Sequence, residues 1–146
     1  MRDIALDEIV LRKYEIPYGK ESKENERELV KKFCLSLGLL QEGDSRDVIV
    51  DLLLLFLKKR KERKMLKSDE IAKELKAMAS KGVSEPNIRR QLKRLKDMMI
   101  IEKVGEGYRI SEFDSLSAIL EKKIIAIKLA AIVDRIKEYA KLLDQI

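Results

Sequence analysis

The 146-residue sequence has no histidine, no tryptophan and a single cysteine, Cys34. Without an imidazole there is no histidine general base, no Ser-His-Asp arrangement and no histidine-ligated metal. One thiol forms neither an intrachain disulfide nor a zinc cluster, and it fits a reduced, cytoplasmic setting. Glycine is too sparse for a phosphate-binding loop: Gly105-Glu106-Gly107 lacks both the length and the following Lys-Ser/Thr. The most apolar run, Val48 to Leu57, is interrupted by Asp51 and falls short of the about 20 residues a membrane span needs. Charges scattered through Met1 to Leu11 argue against a signal peptide. These absences predict a soluble, cytoplasmic protein that is not an enzyme, with no cofactor and no metal.

What is abundant is charge. Charged residues make up 40% of the chain and apolar ones 45%, so a core is affordable beside a highly charged surface. Lys, Glu and Arg prevail while Asn and Gln are scarce, a bias that resembles heat-adapted proteins. The net charge of +6 is unevenly placed. Residues 1–44 carry 8 basic and 10 acidic side chains, residues 45–110 carry 18 and 10, and residues 111–146 carry 6 and 6. The positive excess therefore sits in the middle of the chain, as expected of a polyanionic partner.

Read along its length, the chain divides into an N-terminal extension (1–44), a central unit (45–112) and a C-terminal helix (113–146). Ile9 to Pro17 reads as a strand or an extended arm. A helix capped by Ser22 follows, runs to about Leu37 and stops at Gly38. Its Leu29, Phe33 and Leu37 recur every four residues, and Cys34 beside them reads as a small core residue. From about Ser45 to Arg63, apolar residues surround the next helix on nearly all sides, which places it in the centre of a core or in an interface. Its basic end, Lys58 to Lys64, suits a helix C-terminus or a patch for a nucleic-acid backbone. Ser68 is the expected cap of a further helix that buries Ile71, Ala72, Leu75, Met78 and Ala79.

Ser84 caps the helix that opens Glu85-Pro86, a strong start signal. Ile88, Leu92, Leu95 and Met99 form its apolar stripe. Met98 to Val104 and Tyr108 to Ile110 read as two short strands around Gly105-Glu106-Gly107. After a turn at Ser111 to Asp114 no Gly or Pro occurs again, and Ile125, Leu129, Ile132, Ile136, Tyr139, Leu143 and Ile146 step by four and three. That is an a/d seam on a helix from Ser115 to Ile146, roughly 48 Å long at 1.5 Å per residue. It predicts a homodimer paired through Ile125, Leu129, Ile132, Ile136, Tyr139 and Leu143. If the chain is monomeric, the seam has to pack against Ile49, Leu52 and Phe56 instead.

With its stripe on the core, the Ser84–Lys96 helix is expected to present Asn87, Arg90, Gln91 and Arg94 outward, flanked by Arg89, Lys93 and Lys96. Arg takes guanine, and Asn or Gln adenine, as bidentate partners in the major groove, while the remaining cations suit phosphates. This order of helix, turn, basic helix and two strands resembles the winged helix-turn-helix domain of prokaryotic and, with this composition, archaeal transcriptional regulators. Ser84 to Leu95 is similar to their recognition helix, and Met99 to Val104 with Gly107 to Ile110 to their wing. The resemblance covers just under half the chain. It implies a mainly α fold with a small β-wing, and a homodimeric, sequence-specific regulator of double-stranded DNA. The residues it implies at the DNA are Ser84, Asn87, Arg89, Arg90, Gln91, Lys93, Arg94, Lys103 and Arg109. The sequence names no small-molecule effector.

Two departures stand out. Met98-Met99 fills the place where such regulators commonly carry glycine, so the chain turns there without the residue best suited to φ > 0. The wing tip is short and holds Glu106, which phosphates repel, so Lys103 and Arg109 on the strands are the better candidates for backbone contact. The competing reading is a winged-helix protein-docking module in a transcription or replication assembly.

Overall fold

A computed structural model describes residues 2–17, 26–44, 47–78 and 80–146. The expected Ser22 cap, the Ser45 helix start and Ala79 lie outside these residues. The first helix, α1 (Glu26–Ser36), begins with Glu26 and Glu28, whose charge suits a helix N-terminus. It ends as expected at Gly38, which adopts φ +70° while Leu39 N–H returns to the Cys34 carbonyl at 2.9 Å. Next come α2 (Val48–Lys61), a two-residue strand β1 (Leu66–Lys67), α3 (Ser68–Ala77) and α4 (Glu85–Asp97). The strands β2 (Ile101–Val104) and β3 (Gly107–Ile110) form the expected hairpin. All pairing is antiparallel in the order β1-β3-β2, with Leu66 opposite Tyr108 and Ile101 opposite Ile110. The molecule is thus mainly helical with a small three-stranded sheet. Among the described residues no helix is long and apolar enough to cross a membrane.

The centre of the core is α2. Every residue from Val48 to Phe56 is buried, Asp51 included, as all-round apolar patterning requires. Around it pack Ile71 and Leu75 of α3, Ile88, Leu92 and Leu95 of α4, Ile101 and Ile110 of the sheet, and Val30 and Cys34 of α1. The N-terminal extension therefore shares one core with the central unit. Asp51 is buried at little cost because it is answered: Arg27 Nε donates to its Oδ1 at 2.9 Å and Ser80 Oγ to its Oδ2 at 2.7 Å. Arg27 also reaches Asp47 at 2.9 Å. The hydrogen bond to Asp51, ahead of that to Asp47 and against desolvation, drives the guanidinium pKa up. One set of charges ties α1, α2 and the connection between α3 and α4.

The N-terminal residues form an extended arm and no strand. Arg12 N–H donates to the Ser36 carbonyl at 2.9 Å, and its guanidinium donates to the Leu35 carbonyl at 3.1 Å and to Gln41 Oε1 at 2.9 Å. Val10 crosses directly over Gly38, where an added Cβ would meet Val10 Cβ at 2.8 Å. Positive φ and this close approach both call for glycine.

Several sequence expectations need correction. Ser68 is the first residue of α3 and not its cap; the Glu70 carboxylate accepts the Lys67 backbone N–H at 3.1 Å instead. The fourth place of the α4 stripe belongs to buried Met98, because the helix ends at Asp97 and Met99 turns the chain with φ +65°. The largest correction concerns the C-terminus. The helical rod opens as α5 (Leu116–Ile119), capped by Ser115 Oγ, passes through a π-helical stretch (Leu120–Leu129) and closes as α6 (Ala130–Leu143). A π turn takes in roughly one residue more than an α turn, so Ile125 is carried off the line of the α6 seam. Ile124 is the buried residue there, and Ile125 is exposed. Ile119 and Ile124 join the core cluster that holds Ile49, Leu52 and Phe56, whereas α6, which carries most of the seam, buries nothing.

Candidate nucleic-acid interface

The sequence builds α4 as an amphipathic helix with a firm start. Ser84 is extended (φ −133°, ψ 151°), and its Oγ accepts the Asn87 N–H at 3.3 Å, with Pro86 in the first turn. Ile88, Leu92 and Leu95 face inward, which turns Arg89, Arg90, Lys93 and Lys96 to solvent. Arg89 pairs with Glu85 at 3.2 Å and Lys93 with Asp97 at 2.9 Å, both on the helix surface, where such pairs contribute at most about 0.5 kcal/mol. Among the described residues no ion pair or side-chain hydrogen bond engages Arg90 or Lys96.

Asn87, Gln91 and Arg94 do not stand outward as expected. Spaced by four and three, they line one flank of α4 and link head to tail. Arg94 Nη1 donates to Gln91 Oε1 at 3.0 Å, Gln91 Nε2 to Asn87 Oδ1 at 3.1 Å, and Asn87 Nδ2 to the Gly82 carbonyl at 2.8 Å. The far end of the chain is Arg94 Nη2, which donates to the Gly38 carbonyl at 3.1 Å. In this arrangement the three residues fasten α4 to the end of α1. The helical period already hinted at it, since Gln91 follows Ile88 by three and lies close to the stripe.

Under this tie lies Cys34. Burial pushes its thiol up to about 12, against a small opposing pull from Arg94. It is a packed, protonated core residue, as expected from its place in α1.

The hairpin separates its two candidate cations. Cross-strand partners share a face of the pleat, so Lys103 sits with Tyr108, its ammonium 5.7 Å from the ring centroid. Arg109 sits on the opposite face with Glu102, donating to its Oε2 at 2.7 Å and stacking on Phe113 at 4.8 Å. Glu102 also accepts the Glu112 N–H at 2.9 Å. That bond first, and Arg109 after it, hold the Glu102 carboxyl below its ordinary value. Arg109 is thus a structural pin between the hairpin and the turn that follows it at Ser111–Phe113, and it does not share the Lys103 face. Tyr108 was not foreseen as part of a site. With Ser68, Ala72, Ser84, Ile88 and Arg89 it lines an open cleft of about 560 Å³ between α3 and α4. Its place opposite Lys103 on an alternating strand was the available signal.

Lys58, Lys61 and Lys64 at the end of α2 are exposed, while Lys59 bridges Glu62 and Glu74, each at 3.7 Å. Four exposed cations of α4, Lys103 and this basic end lie on the surface of the central unit, which also exposes Glu62, Asp69, Glu70, Glu85, Asp97 and Glu106; over residues 45–110 the 18 basic side chains outnumber the 10 acidic ones. Exposed Lys and Arg side chains are the groups that contact phosphates in nucleic-acid complexes. In comparison with known proteins, no family model matches the chain, and no curated protein or solved structure matches it significantly.

Proposed function

We propose that this protein is a winged helix-turn-helix regulator of transcription that binds double-stranded DNA sequence-specifically as a homodimer, without a cofactor. The observation that carries the reading is the solvent face of α4, where Arg89, Arg90, Lys93 and Lys96 stand exposed on a helix whose opposite stripe is buried. Support comes from the element order helix, strand, helix, helix, strand, strand over Val48–Ile110, the order of a winged helix. In this reading α4 enters the major groove. Arg90 is the foremost base reader, Arg89, Lys93 and Lys96 are base or phosphate contacts, and Ser84 and Lys103 touch the backbone. Asn87, Gln91 and Arg94 orient the helix. The C-terminal rod pairs two copies so that two α4 helices meet successive major grooves.

The test is binding to random duplex DNA over a salt series. Log affinity should fall linearly with log salt, with a slope near −0.9 for each phosphate contacted. Genome-wide footprints should then resolve into discrete pseudo-palindromic sites. Absence of binding at low salt sinks the reading. The second reading, a docking module within a transcription or replication assembly, draws on the Glu85–Arg89 and Lys93–Asp97 pairs, which offset two of the four cations. It gains if footprints show no discrete sites while the protein co-purifies with such machinery.

A further inference from the structure

The arm and α6 together expose an apolar surface that the single chain leaves open. The arm is held on the rod by Asp7, whose Oδ1 lies 2.8 Å from Lys128 Nζ. Its residues Ile4 to Asp7 line a groove with one flank of α6, made by Ala131, Ile132, Arg135, Ile136 and Tyr139. The side chains of Ile4 and Leu6 nonetheless point away from the chain's own core, 71% and 93% exposed.

Ile132 of the a/d seam read in the sequence is half-buried beside the arm, and a neighbouring run that shares Leu129, Ile136 and Leu143 with that seam carries exposed Val133 in its place. Leu129, Val133, Ile136, Ala140 and Leu143 step by four, three, four and three, and beyond half-buried Leu129 all are exposed. This spacing is the repeat of helices that wind around each other. An identical stripe related by a two-fold axis satisfies it, with small Ala140 allowing close approach. Charge points the same way. Residues 45–110 of two copies repel, with 18 basic and 10 acidic side chains in each, whereas residues 111–146 balance at 6 and 6. Neither an acidic nor a basic partner is selected by a balanced rod, and it is the region where two copies meet without like-charge repulsion.

We propose that a second copy of this chain docks on the Val133–Ile136–Ala140–Leu143 stripe, with Ile4 and Leu6 of each arm closing the flanks of the interface. The proposal rests on the homodimer reading above and specifies its surface. The interface has two layers, helix and arm, in place of a bare pair of helices. The arm that packs on Gly38 at Val10 is, a few residues earlier, part of the contact between copies.

Sedimentation equilibrium of the full chain and of Val133→Lys and Leu6→Lys variants tests this, with thermal melting as a check of the fold. Both side chains are exposed in the single chain, so melting at low concentration should not change. A dimeric wild type whose dissociation constant rises about tenfold or more in each variant, roughly 1.4 kcal/mol or above, is the expected result. A dimeric wild type unaffected by either change overturns the proposed surface and leaves the homodimer standing. Loss with Val133→Lys alone overturns the arm's share. A wild type that stays monomeric into the hundred-micromolar range overturns both this proposal and the homodimer reading, and leaves the salt-dependence test of DNA binding untouched.

Discussion

The helices α2 and α6 have 14 residues each and are both rich in aliphatic side chains, yet their fates are opposite. From Val48 to Phe56 every residue of α2 is buried, while α6 buries none and leaves Ile136 61% exposed. The difference lies in neighbours. The helices α1, α3 and α4 and the sheet enclose α2, whereas the rod leaves the core after Ile124 and α6 lines only a groove with the arm. Apolar content shows that a helix wants partners, and whether they come from its own chain is decided by what lies around it.

The most severe way to break this comparison is to remove one side chain from each helix. Phe56→Ala should cost about 3–5 kcal/mol in denaturant unfolding, from lost burial and the cavity left behind. Ile136→Ala, measured where the chain is monomeric, should stay within about 0.5 kcal/mol. Equal losses would mean that α6 packs in its own chain after all. Charge sharpens the same contrast. Asp51→Ala takes the acceptor from Ser80 and leaves Arg27 with Asp47 alone, which should cost about 1–3 kcal/mol given that Arg27 is partly exposed. Asp134→Ala, on the exposed face of α6, should leave the melting temperature where it is.

Within α4 the inner and outer cations form a smaller version of the comparison. Arg90→Ala should weaken binding to a specific site by about 1–3 kcal/mol with unchanged melting. Arg94→Ala should lower stability by about 0.5–1.5 kcal/mol, because Gln91 Oε1 and the Gly38 carbonyl lose their donor. If Arg94→Ala melts like the wild type and loses DNA affinity as Arg90→Ala does, the inward role is wrong.

The smallest effect is read by pH. Cys34 has its native value raised to about 12 from an ordinary 9.0. Its contribution is therefore complete below pH 9 and is lost as pH rises from 9 toward 12, because the unfolded thiol ionises first. Stability should fall by on the order of 1 kcal/mol by pH 10, and Cys34→Ala should flatten that alkaline decline. A wild-type curve level to pH 10 would show that the thiol is not packed as described.

Much of the fold was legible because it rests on local signals. Gly38, Ser84 with Pro86, the α2 patterning and the Gly105–Gly107 turn each name their own structure. The strand β1 was not, since Leu66–Lys67 is too short to show alternation and exists through its pairing with β3. The outward face of α4 was half legible: a helical wheel places Arg90 but cannot tell that the Gly38 carbonyl waits for Arg94. On α6 the helical spacing placed Ile136, Tyr139 and Leu143, all exposed, on one face, but it could not show that Ile132 lies half-buried beside an arm more than a hundred positions distant in the chain. Long-range contacts leave no periodic trace.

The π-helical stretch sets the phase of the rod. It stands between the hairpin and α6, so every residue in Leu120–Leu129 fixes the bearing from which the open stripe looks out. Removing one residue there would rotate α6 by about 100° around its axis relative to β3. The stripe would keep its composition and length, but two copies joined along it would hold their α4 helices at another azimuth. In the proposed DNA-bound dimer, insertions and deletions in this decade of the chain would act as a coarse dial for half-site spacing, while substitutions that preserve its length would leave the setting alone.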